Sequence, residues 1–179
     1  MKFTIDWEPW FALYPYSDFW EKNDPLVTEV TYYLRDLLRR HNIKATWYCV
    51  GWLVENSNLN YQCIKAEGHV IGYHSYYHKH DPADIPQDRP YRAPKFKGEK
   101  KYYSGGFWFR VMPYWWIKRE VLKTGMFYIH PHDIMLEHPE CGWRTFDRLL
   151  GLKTSRDKLE RLVREIKFET FVLEPSVTG

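Results

Sequence analysis

The chain has little of what staples small proteins together. Its three cysteines, Cys49, Cys63 and Cys141, are odd in number and show no Cys-x-x-Cys spacing, which excludes a disulfide framework and a thiolate zinc site. It also has no run near the roughly 18 uninterrupted apolar residues that a bilayer span requires, so no transmembrane segment is expected. No long block of one charge occurs either: 26 basic residues are spread among 23 acidic ones, with a formal charge of +3, and nucleic-acid binding has no electrostatic footprint here. The stretch from Met1 to Asp6 lacks the apolar core and small-residue cleavage site of a secretory signal, and a cytoplasmic protein is the expectation.

Aromatic residues, by contrast, are plentiful: 18% of the chain, with nine Trp and fourteen Tyr. That richness suits a packed core and also the walls of a sugar-binding cleft, where Trp7, Trp10 and Trp108 are candidates for stacking. The length of 179 residues fits one domain, 1–179, with a real core.

Hydrophobic patterning divides the chain into alternating elements. A strand over about Lys2 to Asp6 leads into a proline-punctuated aromatic loop. Asp24 as N-cap and Pro25 at the first helical position then predict a helix carrying Leu26, Val30, Tyr33, Leu34, Leu37 and Leu38 inward and closing at His41 and Asn42. A strand from Lys44 to Val50, a helix across Tyr61 to Glu67 stopped by Gly68, and a strand from His69 to Tyr73 complete a βαβαβ order. From Lys79 to Gly106 the prolines multiply and only short strands are expected. A helix over Pro113 to Lys123, a strand from Met126 to His130, a helix capped by Thr154 or Ser155, and a last strand from Phe168 to Leu173 follow.

Such alternation implies a parallel sheet with its chemistry at the carboxyl ends of the strands. Asp6 and Glu8 fall at the end of the first strand, and His74 falls directly after the third, four residues before His78. Imidazole nitrogens and a carboxylate oxygen are ligands for zinc and similar ions, and three of them leave a fourth position open, the hydrolytic rather than the structural arrangement. His130 ends a further strand, where an imidazole is suited to proton transfer near neutral pH.

At these residues the chain resembles the polysaccharide deacetylases of the NodB-homology family, metal-dependent carbohydrate esterases. Thr4-Ile-Asp-Trp-Glu8 resembles the first motif of the family, Gly68 to His78 its histidine motif, and Tyr91-Arg-Ala-Pro94 its arginine motif. Phe127-Tyr-Ile-His-Pro131 resembles its leucine-histidine-proline motif, with Ile129 where leucine is usual, and Ser104 to Tyr114 resembles the glycine-rich stretch of members linked to exopolysaccharide and O-antigen synthesis.

The resemblance implies that Glu8, His74 and His78 bind a divalent metal, Zn2+ first with Co2+, Ni2+ or Mn2+ as alternatives. It implies Asp6 as catalytic base, His130 as general acid and Arg92 as the residue that orients Asp6, and it gives His69, His80 and His132 no ligand role, so these read as structural, with His132 the strongest exception because it lies two residues from His130. Asp133 is a candidate to bias His130 on its proximity in sequence alone. The fold it implies is a distorted, incomplete (β/α) barrel, shortened here because little chain separates His78 from Tyr91. Glu8 also stands where aspartate is common. The expected activity is removal of an N-acetyl group, with O-acetyl as an alternative, from an amino sugar held as a saccharide or a nucleotide-linked or lipid-linked precursor. Two other readings are a non-catalytic carbohydrate-binding remnant and an amidase for a non-sugar amide. A homo-oligomer is expected to cover exposed aromatic surface.

Overall fold

The structure, a computed structural model, describes residues 1–12, 25–77, 103–136 and 149–169. Among these residues four strands form one parallel sheet in the order β3-β2-β1-β4: β1 (Lys2–Trp7), β2 (Thr46–Cys49), β3 (Val70–Tyr73) and β4 (Met126–Ile129). The expected βαβαβ order is present, and β4 returns to pair with β1 on the side away from β2. A mixed α/β architecture is thus established, and the sheet is compatible with part of a (β/α) fold. The expected final strand begins at Phe168 and runs mostly outside the described residues, as do the short strands expected after Lys79.

The two central strands, β1 and β2, are nearly continuous in burial, whereas β3 at one edge is mostly half-buried. Parallel strands covered on both faces have this pattern because helices, not water, lie against them. Helix α1 (Pro25–Arg40) supplies one cover. Its Val30, Leu34, Leu37 and Leu38 are fully buried, each worth roughly 1.5–3 kcal/mol relative to exposure. The helix stops where the sequence places its end: Asn42 takes a left-handed φ of 52°, a conformation its short polar side chain tolerates.

Helices α2 (Gly51–Asn56) and α3 (Asn58–Ala66) occupy the β2–β3 crossover, one element more than the expected single helix. Trp52 and Leu53, buried in the core, explain why the chain turns helical directly after Val50. Helix α4 (Gly106–Val111) lies in the glycine-rich stretch, where the sequence pattern predicts no helix; α5 (Tyr114–Thr124) and α6 (Ser155–Glu165) agree with expectation within two residues. At α6 the cap position is Thr154 as expected, but its side chain makes no capping hydrogen bond to the helix.

Trp7 is fully buried and its indole N–H donates to Thr31 Oγ1 at 2.8 Å. Trp10 is buried as well. Of the two readings open for these aromatics, packing or stacking on a sugar, the structure selects packing for Trp7 and Trp10, since a buried ring has no face to offer a sugar; Trp108 remains 40% exposed.

Candidate active site

The site grows from strand register. In the β1–β2 ladder Asp6 stands opposite Tyr48 and Trp7 opposite Cys49; in the β1–β4 ladder Ile5 stands opposite Ile129. His130 is the next residue along β4, which brings it beside Asp6. On the other flank Cys49 pairs with Tyr73, and His74 N–H continues the ladder by donating to Cys49 O at 3.0 Å. Ser75 then takes a left-handed φ of 59°, and the chain leaves the sheet just beyond His74. Strand order reverses between β1 and β4, since the chain runs outward from β1 to β2 to β3 before returning. Open α/β sheets build ligand crevices at the carboxyl end of such a reversal.

Four of the six residues expected to form the site are described, and the structure brings all four together. Glu8 Oε2 lies 3.4 Å from His74 Nε2, while His130 Nε2 lies 3.6 Å from Asp6 Oδ2 and 3.9 Å from Glu8 Oε1. Glu8 is only 1% exposed. His78 and Arg92 lie outside the described residues.

The donor set fits a divalent ion. Two ligand atoms each 2.0–2.1 Å from a tetrahedral metal are about 3.4 Å apart, and the Glu8 oxygen and His74 nitrogen have that spacing. A buried carboxylate facing imidazoles needs a cation or a proton to offset its desolvation. His130, His132 and Asp133 also place three donor atoms within 4.8 Å of one another. In that second cluster the Arg110 guanidinium already stands 3.2 Å from Asp133, a positive charge that would repel a metal.

Asp133 stands directly against His130. The turn Pro131–Asp133 is a single 3-10 turn in which the Asp133 carboxylate folds back onto His130: Oδ2 accepts the backbone N–H at 3.0 Å and the ring Nδ1–H at 2.8 Å. Burial alone would lower the pKa of His130, but the nearby carboxylates of Asp133, Glu8 and Asp6 outweigh it and raise the value to about 10. Burial opposes ionisation of Asp133, and the charge of His130 overcomes it and holds the carboxyl well below the usual range. Tyr128, pushed up to about 12 by burial and then by Asp133 and Asp6, stays a neutral phenol, with its ring edge-on to His130.

His132 reads as structural from the sequence, and its 6% exposure supports that. Its ring nevertheless stacks on His130 at 4.8 Å and 7°, and its Nδ1 lies 3.9 Å from Glu8 Oε1. The signal is its spacing of two residues from His130. Arg110 has no such signal, because one arginine in a glycine-rich stretch carries no sequence mark of burial. His69 is structural, as expected: Ala45 N–H donates to its Nδ1 at 3.3 Å, which requires a neutral ring protonated at Nε2.

An α/β protein with carboxylates and histidines converging at strand ends is the class that fold and site define. A family model for polysaccharide deacetylase matches residues 14–94, which supports the deacetylase family. A second model, described as a domain of unknown function (DUF3473), matches residues 76–173, more than half of the chain, and the chain belongs to that family. The first match contains His74, His78 and Arg92; the second contains His78, Arg92, Arg110, His130 and Asp133. No curated protein and no solved structure matches the chain. Among the described residues no helix is long and apolar enough to cross a membrane.

Proposed function

We propose that this chain is a metal-dependent hydrolase that removes an acetyl group from the nitrogen of an amino sugar, on a shortened, incomplete (β/α) barrel. The observation that carries the reading is the convergence of two separate pairs at one end of the sheet, Glu8 with His74 and Asp6 with His130. Glu8 and His74, completed by His78, would hold the ion. A divalent cation there, zinc first, supplies Lewis acidity toward the acetamide carbonyl and toward water.

The remaining chemistry belongs to the side chains. Asp6 accepts a proton from the attacking water as its oxygen bonds to the carbonyl carbon. His130, kept protonated by three carboxylates, gives its Nε2 proton to the departing nitrogen as the C–N bond breaks, and the products are the free amine and acetic acid, which ionises to acetate on release. The reaction moves one proton from His130 to Asp6, which stand 3.6 Å apart, and exchange with solvent resets the pair before the next turnover. Arg92 orients Asp6 in this scheme. With an O-acetyl substrate the same proton goes to oxygen, an easier leaving group.

A binding remnant has no use for an acid and a base facing each other, so the Asp6–His130 pair favours the enzyme over it. The pathway proposed is surface-polysaccharide or O-antigen synthesis in the cytoplasm, with a nucleotide-linked or lipid-linked sugar as substrate. The test compares metal content of the protein with that of the His74→Ala/His78→Ala variant, together with acetate release from N-acetylated oligosaccharides and nucleotide sugars. Stoichiometric metal lost in the variant, with acetate release that also needs Asp6, is the expected result. Failure to retain metal under any loading condition overturns the reading.

A further inference from the structure

We infer that Arg110, on helix α4, is a positioning residue for His130 and acts through the carboxylate of Asp133. The inference rests on the reading of His130 as the group that protonates the leaving nitrogen.

The two oxygens of Asp133 have separate partners. Oδ2 takes both the ring Nδ1–H and the backbone N–H of His130, and Oδ1 faces Arg110 Nε at 3.2 Å. A carboxylate held through one oxygen can still rotate about its Cβ–Cγ bond, and each rotation would turn the imidazole with it. A cation on the second oxygen removes that freedom. Asp133 and Arg110 are 1% and 5% exposed, so the pair is also shielded from the solvent that weakens surface ion pairs.

Arg110 is itself pinned. Its Nη1–H donates to Leu150 O at 3.3 Å, and its carbonyl accepts a hydrogen bond from Lys158 Nζ on α6. Lys158 also reaches the carbonyls of Phe109 and Met112, closing the exposed end of α4. Gly151 permits this approach, since a Cβ there would stand 2.1 Å from Arg110 O. At the other end of the helix, a Cβ on Gly106 would come within 3.5 Å of His130 Cε1, so α4 starts beside the imidazole and at Arg110 faces Asp133. The glycine-rich stretch thereby presents one arginine to the back of the His130–Asp133 pair. An ion pair that only neutralised Asp133 would stabilise the fold and leave the His130 ring where it is.

The test follows the His130 Nδ1–H by proton NMR and the kinetics of acetate release in the wild type, Arg110→Met, Arg110→Lys, Asp133→Asn and the Arg110→Met/Asp133→Asn double variant, with circular dichroism as the check on folding. The wild type should show a downfield, slowly exchanging Nδ1–H that Asp133→Asn abolishes. Arg110→Met should lose it or speed its exchange about tenfold or more, and lower kcat by a similar factor with KM and metal content within about twofold. Arg110→Lys should recover part of both, and the double variant should be no worse than Asp133→Asn alone. Should Arg110→Met fail to fold, Arg110→Lys decides, with faster exchange expected than in the wild type. An unchanged Nδ1–H in a folded Arg110 variant overturns the inference. Absence of acetate release from the wild type would sink the deacetylase reading, while the NMR comparison would still decide whether Arg110 positions His130.

Discussion

Glu8 and His74 meet at 3.4 Å across the mouth of a strand that belongs to neither: β2 lies between β1 and β3, and the two side chains close over its end. The contact depends on the chain leaving the sheet at Ser75 and on Glu8 projecting two residues past Asp6. Under the proposed function, replacing His74 by Ala is expected to lower zinc affinity by at least about 100-fold, since the proposed direct ligand is lost where even supporting contacts are worth 10- to 100-fold. Competition with a chromogenic chelator measures this. Asp6→Asn should change the affinity by less than about tenfold, because Asp6 faces His130 instead.

Glu8→Asp tests the proposed role of Glu8 as a ligand. The longer side chain lets one carboxylate face His74 with Oε2 and His130 and His132 with Oε1. Aspartate, one methylene shorter, cannot span both sides from the same backbone position. Metal affinity should fall by about 10- to 100-fold, although aspartate is the more usual ligand in the resembled family. Unchanged affinity would mean that the backbone advances to compensate.

Asp133→Asn keeps the shape of the turn Pro131–Asp133 but removes the anion that fixes the His130 ring. A fall in kcat of about 10- to 100-fold, with little change in KM, is expected if His130 transfers a proton in the rate-limiting step. Steady-state kinetics on whichever acetylated sugar the wild type accepts provide the readout.

His69 should make the fold sensitive to acid. Burial, then Lys44, lower its pKa from 6.5 to about 4, against a raising effect of Glu67. In the unfolded chain the ring takes a proton below about pH 6.5, while the folded ring resists until about pH 4. Stability from this group is therefore complete above pH 6.5, lost progressively as pH falls, and fully gone below pH 4. The loss amounts to no more than about 3 kcal/mol. Urea unfolding at pH 7.5 and pH 5 should show a smaller difference for His69→Gln than for the wild type, and equal differences would refute the assignment.

Gly105→Ala should destabilise by steric conflict alone. Gly105 has an ordinary extended φ of −132°, but a Cβ there would lie 2.0 Å from Tyr128 O and 2.7 Å from its ring. The cost should be about 1–3 kcal/mol as the segment backs away from β4, read as a lower melting temperature.

Much of the fold is legible because helix and strand periods differ and the first half of the chain obeys them cleanly. Leu34, Leu37 and Leu38 recur at helical spacing, and they are among the residues α1 buries. Lys44 to Val50 is dense in β-formers, and its centre forms β2. Helix α4 is not legible: its six residues are too short to display a period, and neighbouring glycines argue against helix. The division of the crossover into α2 and α3 is hidden for the same reason of length.

The site divides along similar lines. The sequence by itself determined the donors, because Asp6, Glu8, His74 and His130 are ionisable or metal-binding groups placed where strands end, and local pattern is enough to say where a strand ends. Tertiary structure alone decided their pairing: Glu8 with His74 across β2, Asp6 with His130 across the β1–β4 reversal, and Arg110 behind Asp133. Strand order and the approach of α4 depend on which apolar faces bury one another across the whole chain. Such contacts join residues distant in sequence, more than a hundred positions apart for Asp6 and His130, and no local period records them.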